Sequence, residues 1–324
     1  MNRVQAGLAA LVATPFVVGL LVGPGSQPVD PMFRFTDPDI TESSGLVVTT
    51  GGLFVTVNDS GDSARVFAVD PASGDTVGHT TWDASPLDDE ALAPAPDSTD
   101  VWVGDIGDNL VDRDAVTITR VPTGRAELSG AVASYELTYP DGPHDAETLM
   151  VDPVGGQVLI ASKELVGTLY AAPRHLGPGA NEMRKVGEVT GVATDGAFFP
   201  DGKHLVIRNY DSATFYTYPG LKQVGEVELP DQEQGEGIAV APDGEVYVCS
   251  EGVRSPVLRV SLPERLRALL DGTRAGGQDK GPGPGAAADD GVAPEDDRSL
   301  WPWALGGVAL VGIVLVLLRS LRPR

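Results

Sequence analysis

One cysteine, four histidines and 23 Lys plus Arg against 46 Asp plus Glu are the scarcities that first narrow what this chain of 324 residues can do. Cys249 alone cannot close an intramolecular disulfide, and no Cys or His spacing suits a zinc site. It lies in the apolar run Val246 to Cys249, where a buried strand residue is expected. Export remains open, because a chain this long can bury a core without covalent cross-links. The shortage of basic residues leaves a net charge of −23. Such a surface repels phosphate backbones, so nucleic acid is not an expected partner, whereas cations and basic patches are. Glycine loops that cradle phosphate are absent, and Ser43 and Ser44 have no histidine partnered with them for a serine triad.

Long apolar runs occur at the two ends only. Residues 1–25 read as a signal peptide or signal anchor: Arg3, an apolar stretch from Ala6 to Val22, then Gly23-Pro24-Gly25-Ser26 without a clear Ala-x-Ala site. Residues 300–318 contain an uncharged stretch from Trp301 to Leu318, long enough for a transmembrane helix. Trp301 and Trp303 suit its outer interface, and Arg319, Arg322 and Arg324 give 319–324 the character of a basic cytoplasmic tail. Residues 272–299, rich in Gly, Pro and Asp, read as a disordered linker. The expected location is therefore the cell membrane, single-pass, with residues 30–265 on the extracytoplasmic side as a monomeric ectodomain.

Within 30–265 one pattern recurs five times: a short apolar strand opened by a small or acidic residue, a turn, and two or three further strands. The openings are Ser44, Glu90, Glu147, Asp195 and Glu236, spaced by 46, 57, 48 and 41 positions. Turns such as Pro96-Asp97-Ser98, Pro200-Asp201-Gly202 and Pro242-Asp243-Gly244 follow each opening strand, with Pro presetting φ and Gly tolerating positive values. About four strands in forty-odd residues is the signature of a propeller blade, so the fold class is all-β, a five-bladed β-propeller. A six-bladed ring requires a hidden repeat in the 57-residue interval, around Asn109 to Asp114. The fifth repeat has three strands before the helix-prone stretch from Pro263 to Leu270, so Met32 to Phe35 is expected to supply its outer strand and close the ring.

In such a ring the loop entering each first strand and the loop leaving each second strand share one face. This gathers the candidate metal ligands Glu42, Asp59, Asp62, Glu90, Asp105, Asp108, Glu147, Asp195, Glu236 and Glu251 around a channel. Crowded carboxylates repel one another unless cations sit among them, and hard oxygen donors in number suit Ca²⁺. Lys163, Arg208 and Asn209 are the candidate substrate-binding residues for an anionic ligand. His144 beside Asp145 is a candidate catalytic base, or a surface histidine in the loop that begins Tyr139-Pro140-Asp141-Gly142. The acidic loops also have a bland reading, as turns capped by their own side chains, and the strand-opening glutamates could bond the backbone of neighbouring blades.

Glu90-Ala91-Leu92, Gly104-Asp105-Ile106-Gly107-Asp108-Asn109, Asp145-Ala146-Glu147 and Gly235-Glu236-Gly237-Ile238-Ala239 resemble blade motifs of phytase-like or esterase-like propeller proteins, over residues 40–262. More distantly the pattern is similar to gluconolactonase-type calcium-dependent propellers. The resemblance implies calcium held by acidic channel residues and a phosphate substrate met by basic ones. Two functions follow as expectations. One is a membrane-tethered binding module whose cation-holding channel face meets a small anionic ligand, a carbohydrate or a protein partner. The alternative is a calcium-dependent hydrolase of phosphate, ester or lactone bonds.

Overall fold

The computed structural model describes residues 31–272 apart from residue 60. The stretches expected to be a signal segment, a transmembrane helix and a basic tail, and most of the expected linker, lie outside the described residues. Among those described, no helix is long and apolar enough to cross a membrane.

The described chain opens with the short strand β1 (Phe33–Arg34), and four antiparallel strands then make the first blade: β2 (Ser43–Val48), β3 (Phe54–Asn58), β4 (Arg65–Val69) and β5 (Thr76–Thr81). The second blade is β6 (Asp89–Pro94), β7 (Val101–Asp105), β8 (Val116–Val121) and β10 (Ala133–Thr138), with β9 (Glu127–Ser129) between the last two in sequence. The third is β11 (Ala146–Val151), β12 (Val158–Ser162), β13 (Gly167–Ala171) and β15 (Arg184–Val189), with β14 (Asn181–Glu182) placed likewise. The fourth is β16 (Asp195–Phe198), β17 (His204–Arg208), β18 (Ser212–Thr217) and β19 (Gln223–Glu228). The fifth contains β20 (Gly235–Val240), β21 (Val246–Ser250) and β22 (Pro256–Val260).

The opening strands β2, β6, β11, β16 and β20 contact one another in cyclic order, β20 meeting β2, so the sheets form a closed five-bladed ring. Closure is made as the sequence predicts: β1 pairs antiparallel with β22, Phe33 opposite Val257, and becomes the fourth strand of the fifth blade. Phe33 then stacks edge-on with Phe54 at 5.0 Å, and Phe54 with Tyr247 at 5.2 Å, so aromatic contacts cross from the first blade to the last. The 57-residue interval holds no sixth blade. Part of its extra length forms β9, which crosses over to pair in parallel with β5 on the first blade. In the same way β14 leaves the third blade to pair in parallel with β10.

Each junction between neighbouring sheets has its own apolar cluster, and successive residues of an inner strand face the two junctions in turn, as Phe54 and Val55 do. The fourth-to-fifth junction is also covered by a helix, α1 (Glu264–Gly272), which follows Pro263 and places Leu266 and Leu270, one turn apart, on the cluster. Around the axis the strands approach so closely that Gly45 is obligatory: a Cβ there would lie 2.4 Å from the backbone nitrogen of Leu92. Gly237 is confined in the same way, with a Cβ position 2.5 Å from Cys249 Sγ and 2.8 Å from the Ser44 carbonyl.

Phe35 follows the closing strand and is fully buried in the cluster that joins the fifth blade to the first. Phe35→Ala is expected to cost about 3–5 kcal/mol, read as a lower urea midpoint with little change in slope. An unchanged midpoint would mean that the closing strand adds nothing to the ring.

Candidate functional site

Four of the five opening strands begin with an irregularity in their pairing to the next strand. The register shifts between Ser43 and Leu46, between Asp89 and Ala91, between Ala146 and Thr148, and between Gly235 and Ile238. A β-bulge re-aims the extra residue. The residues set in these bulges are Ser44, Glu90, Glu147 and Glu236, and the three glutamates are almost completely buried at the ring's inner edge. The opening strand of the fourth blade has no such shift: Asp195 sits in regular register opposite Arg208.

Glu90 lies with Asp59 and Asp88 so that one carboxylate oxygen from each falls within 4.8 Å of the other two. Asp59 is held at the mouth because its amide donates to the Glu42 carbonyl (2.9 Å). Ser44 Oγ donates to the Glu90 carbonyl (2.7 Å), fixing the bulge. Burial, with Glu147, Asp59 and Asp88 nearby, pushes the Glu90 carboxyl up to about 11, and it hydrogen bonds to Asp59. Burial also raises Asp88, with Asp59 and Asp145 adding to the shift.

Across the mouth, Lys163 Nζ donates to Glu147 Oε1 and lies 5.5 Å from the centre of the Tyr210 ring. Burial still raises Glu147 to about 8 despite the lysine. Glu236 is raised by burial against the pull of Lys163 and Arg208. The Oε2 atoms of both Glu147 and Glu236 are buried without a hydrogen-bond partner. Glu251 accepts from Gln234 Nε2 (2.6 Å), and burial with Glu236, Asp59 and Glu42 close by raises it to about 7. Glu42 itself is exposed at the rim.

The remaining sequence candidates take other roles. Asp62 accepts from Arg65 Nε (2.8 Å) and Asn58 Nδ2 (2.9 Å), closing the turn after β3. Asp105 pairs with Arg113 (2.9 Å) and accepts the amides of Leu87 and Asp88, while Asp108 accepts those of Asp112 and Arg113. These two carboxylates shape the loop that presents Asp88. Asp195 is fully buried and accepts the amides of Gly196 (2.7 Å) and Ile238 (2.8 Å), tying the fourth blade to the fifth. Arg208, expected to meet an anionic ligand, is fully buried and donates to Gln232 Oε1 and to the carbonyls of Asn209, Tyr210, Gly237 and Cys249. Asn209 caps the next turn by accepting the amides of Asp211 and Ser212. His144 lies between Asp141 (3.1 Å) and Glu164 (3.0 Å) with the Tyr170 hydroxyl 2.8 Å from Nε2, in an aromatic cluster with Tyr139. Sequence reasoning did not single out Arg113 or Tyr210; both follow apolar strands, which gives no hint of a role.

Past the mouth the axis is nearly filled, with a water-sized cavity of about 20 Å³ bounded by Leu46, Leu92, Ala197 and Phe198. The opposite end opens into a cavity of about 230 Å³ lined by Val48, Pro94, Pro153, Phe198, Pro200 and Pro242. Thr49, Thr50, Asp97 and Asp100 also line it, so one end of the ring gathers buried carboxylates while the other is mixed in character. No protein-family model and no curated protein matches the chain.

Carboxyls kept neutral by burial in the folded protein ionise when it unfolds. A folded value above the unfolded one means stability that is complete below about pH 4.5 and declines as pH rises through the folded values. With Asp89 raised by burial to about 7, the window runs from weakly acidic to neutral solution. In the presence of a chelator the melting temperature is expected to fall from about pH 5 to about pH 7, this carboxyl contributing about 1.4 kcal/mol per pH unit. A melting temperature that is flat or rises over that range would contradict the buried acidic mouth.

Proposed function

We propose that this chain is an extracytoplasmic binding module, held at a membrane by its C-terminal apolar segment, whose acidic propeller face holds a divalent cation between Asp59, Asp88 and Glu90. The carrying observation is the meeting of those three carboxylates around one point, with Glu90 buried in its bulge. Three carboxylates offer up to six oxygens, and with water they fit the six to eight hard donors and irregular geometry that Ca²⁺ accepts. A cation there replaces the proton that Glu90 needs when no metal is bound, so metal and proton compete for one place. The binding reading is favoured over hydrolysis by the surroundings. Lys163 is engaged with Glu147, Arg208 is enclosed by protein acceptors, and His144 is engaged by Asp141, Glu164 and Tyr170. None of the three is left to orient or attack an anionic substrate.

Glu90→Gln separates structure from metal binding, because the amide resembles the neutral acid that burial favours. In chelator this variant is expected to melt at or above the wild-type temperature. Calcium in hundredfold excess over its Kd should stabilise the wild type by about 2.7 kcal/mol and the variant far less. Absence of both a calorimetric signal and a calcium-induced melting shift in the wild type would remove the cation from this site.

A further inference from the structure

The loops on the acidic face carry most of the exposed large apolar side chains among the described residues. Leu87 is 70% exposed, Leu110 81%, Leu165 92%, Val253 56% and Tyr210 38%, and they come from loops of the second, third, fourth and fifth blades. The loops of the opposite face contribute Val154. Scattered apolar residues need no explanation, but their concentration around one polar mouth is the anatomy of an interaction surface. The loops are also held against their local preference: Val111 and Val192, both β-branched, have φ of 53°.

Inside this rim the Oε2 atoms of Glu147 and Glu236 are acceptors without donors, in residues only 6% and 4% exposed. Buried acceptors of this kind want N–H groups. Lys163 already displays the chemistry that satisfies them, an alkylammonium donating to Glu147 Oε1 beside the face of Tyr210. With a chain charge of −23, the mouth attracts a cationic group from a distance and repels an anionic one.

Resting on the reading that this face is the binding face, we infer that it docks a protein whose lysine or arginine side chain enters the mouth against Glu147 and Glu236, while its neighbouring apolar residues cover Leu87, Leu110, Leu165 and Val253. A protein is the occupant because the apolar rim spans loops from four blades, more than a small amine could cover. The cation proposed at Asp59, Asp88 and Glu90 uses a different set of carboxylates, so variants of the two sets distinguish the two ligands.

The test uses the full chain and fluorescence polarisation with a labelled peptide carrying a central lysine between leucine, phenylalanine and valine. Its counterparts carry norleucine or N-acetyl-lysine at that position. The lysine peptide is expected to bind about tenfold tighter or better than either counterpart. The preference should vanish in Glu147→Gln/Glu236→Gln, and Leu110→Ser/Leu165→Ser should weaken all three peptides alike. Glu236→Gln alone leaves the Lys163–Glu147 pair in place and should reduce the preference if the double variant does not fold. Equal binding of lysine and norleucine peptides, no binding at all, or an unaffected Leu110→Ser/Leu165→Ser variant would overturn the inference. Spermidine displacing the peptide at equal concentration would overturn its protein part. A calcium response that persists in any of these cases leaves the cation reading standing, and its loss with peptide binding intact removes the cation alone.

Discussion

Where the first and second blades meet at the axis, a single methyl group on Gly45 would overlap the backbone of Leu92, and Gly237 is confined as tightly between the fifth blade and the first. Strands packed this closely cannot carry large side chains toward the axis at their ends. The chain resolves the conflict by inserting bulges at four of the five strand openings, and each bulge turns its extra residue toward the mouth. Three of those residues are glutamates. The acidic mouth is thus a product of the same crowding that closes the ring.

The cost of the arrangement is buried negative charge with too few partners. Lys163 neutralises one side of the mouth, and the raised Glu90 carboxyl, hydrogen bonded to Asp59, relieves the other. Two glutamate oxygens remain without donors. Natural proteins seldom leave buried acceptors unpaired unless something outside the chain pairs them. That imbalance, together with an apolar rim and the engagement of the basic residues, is what the proposed reading of the face as a receiver of positive charge rests on.

Much of this was legible in the sequence because it depends on local patterns. Apolar runs of period two, punctuated by Pro-Asp-Gly turns, located nearly every blade strand, and the missing fourth strand of the last repeat pointed to Met32–Phe35 as its replacement. Gly202 and Gly244 do adopt the positive φ their turns require, and Asp97 takes the same conformation where the third turn has no glycine. The strands β9 and β14 could not be foreseen. They are three and two residues long, and their pairing with a preceding blade leaves no periodic trace. Charged residues at strand ends were the other blind spot. Asp195 and Arg208 look like loop residues beside an apolar run, yet both are fully enclosed, since only three dimensions reveal that backbone groups of the fifth blade await them.

The junctions of the ring are fastened by different devices. β1 spans from the last blade to the first, β9 overlaps the first and second, and β14 overlaps the second and third. The Ile238 amide, donating to Asp195, and Arg208, donating to the Gly237 carbonyl, fasten the fourth to the fifth. Between the third and fourth blades the Thr190 amide donates to the Tyr216 hydroxyl (2.8 Å), Tyr218 reaches Gln157 (3.4 Å) and Lys163 lies over the Tyr210 ring. Because Phe33 pairs with Val257, near the other end of the described chain, closure of the ring waits until nearly every strand has been synthesised.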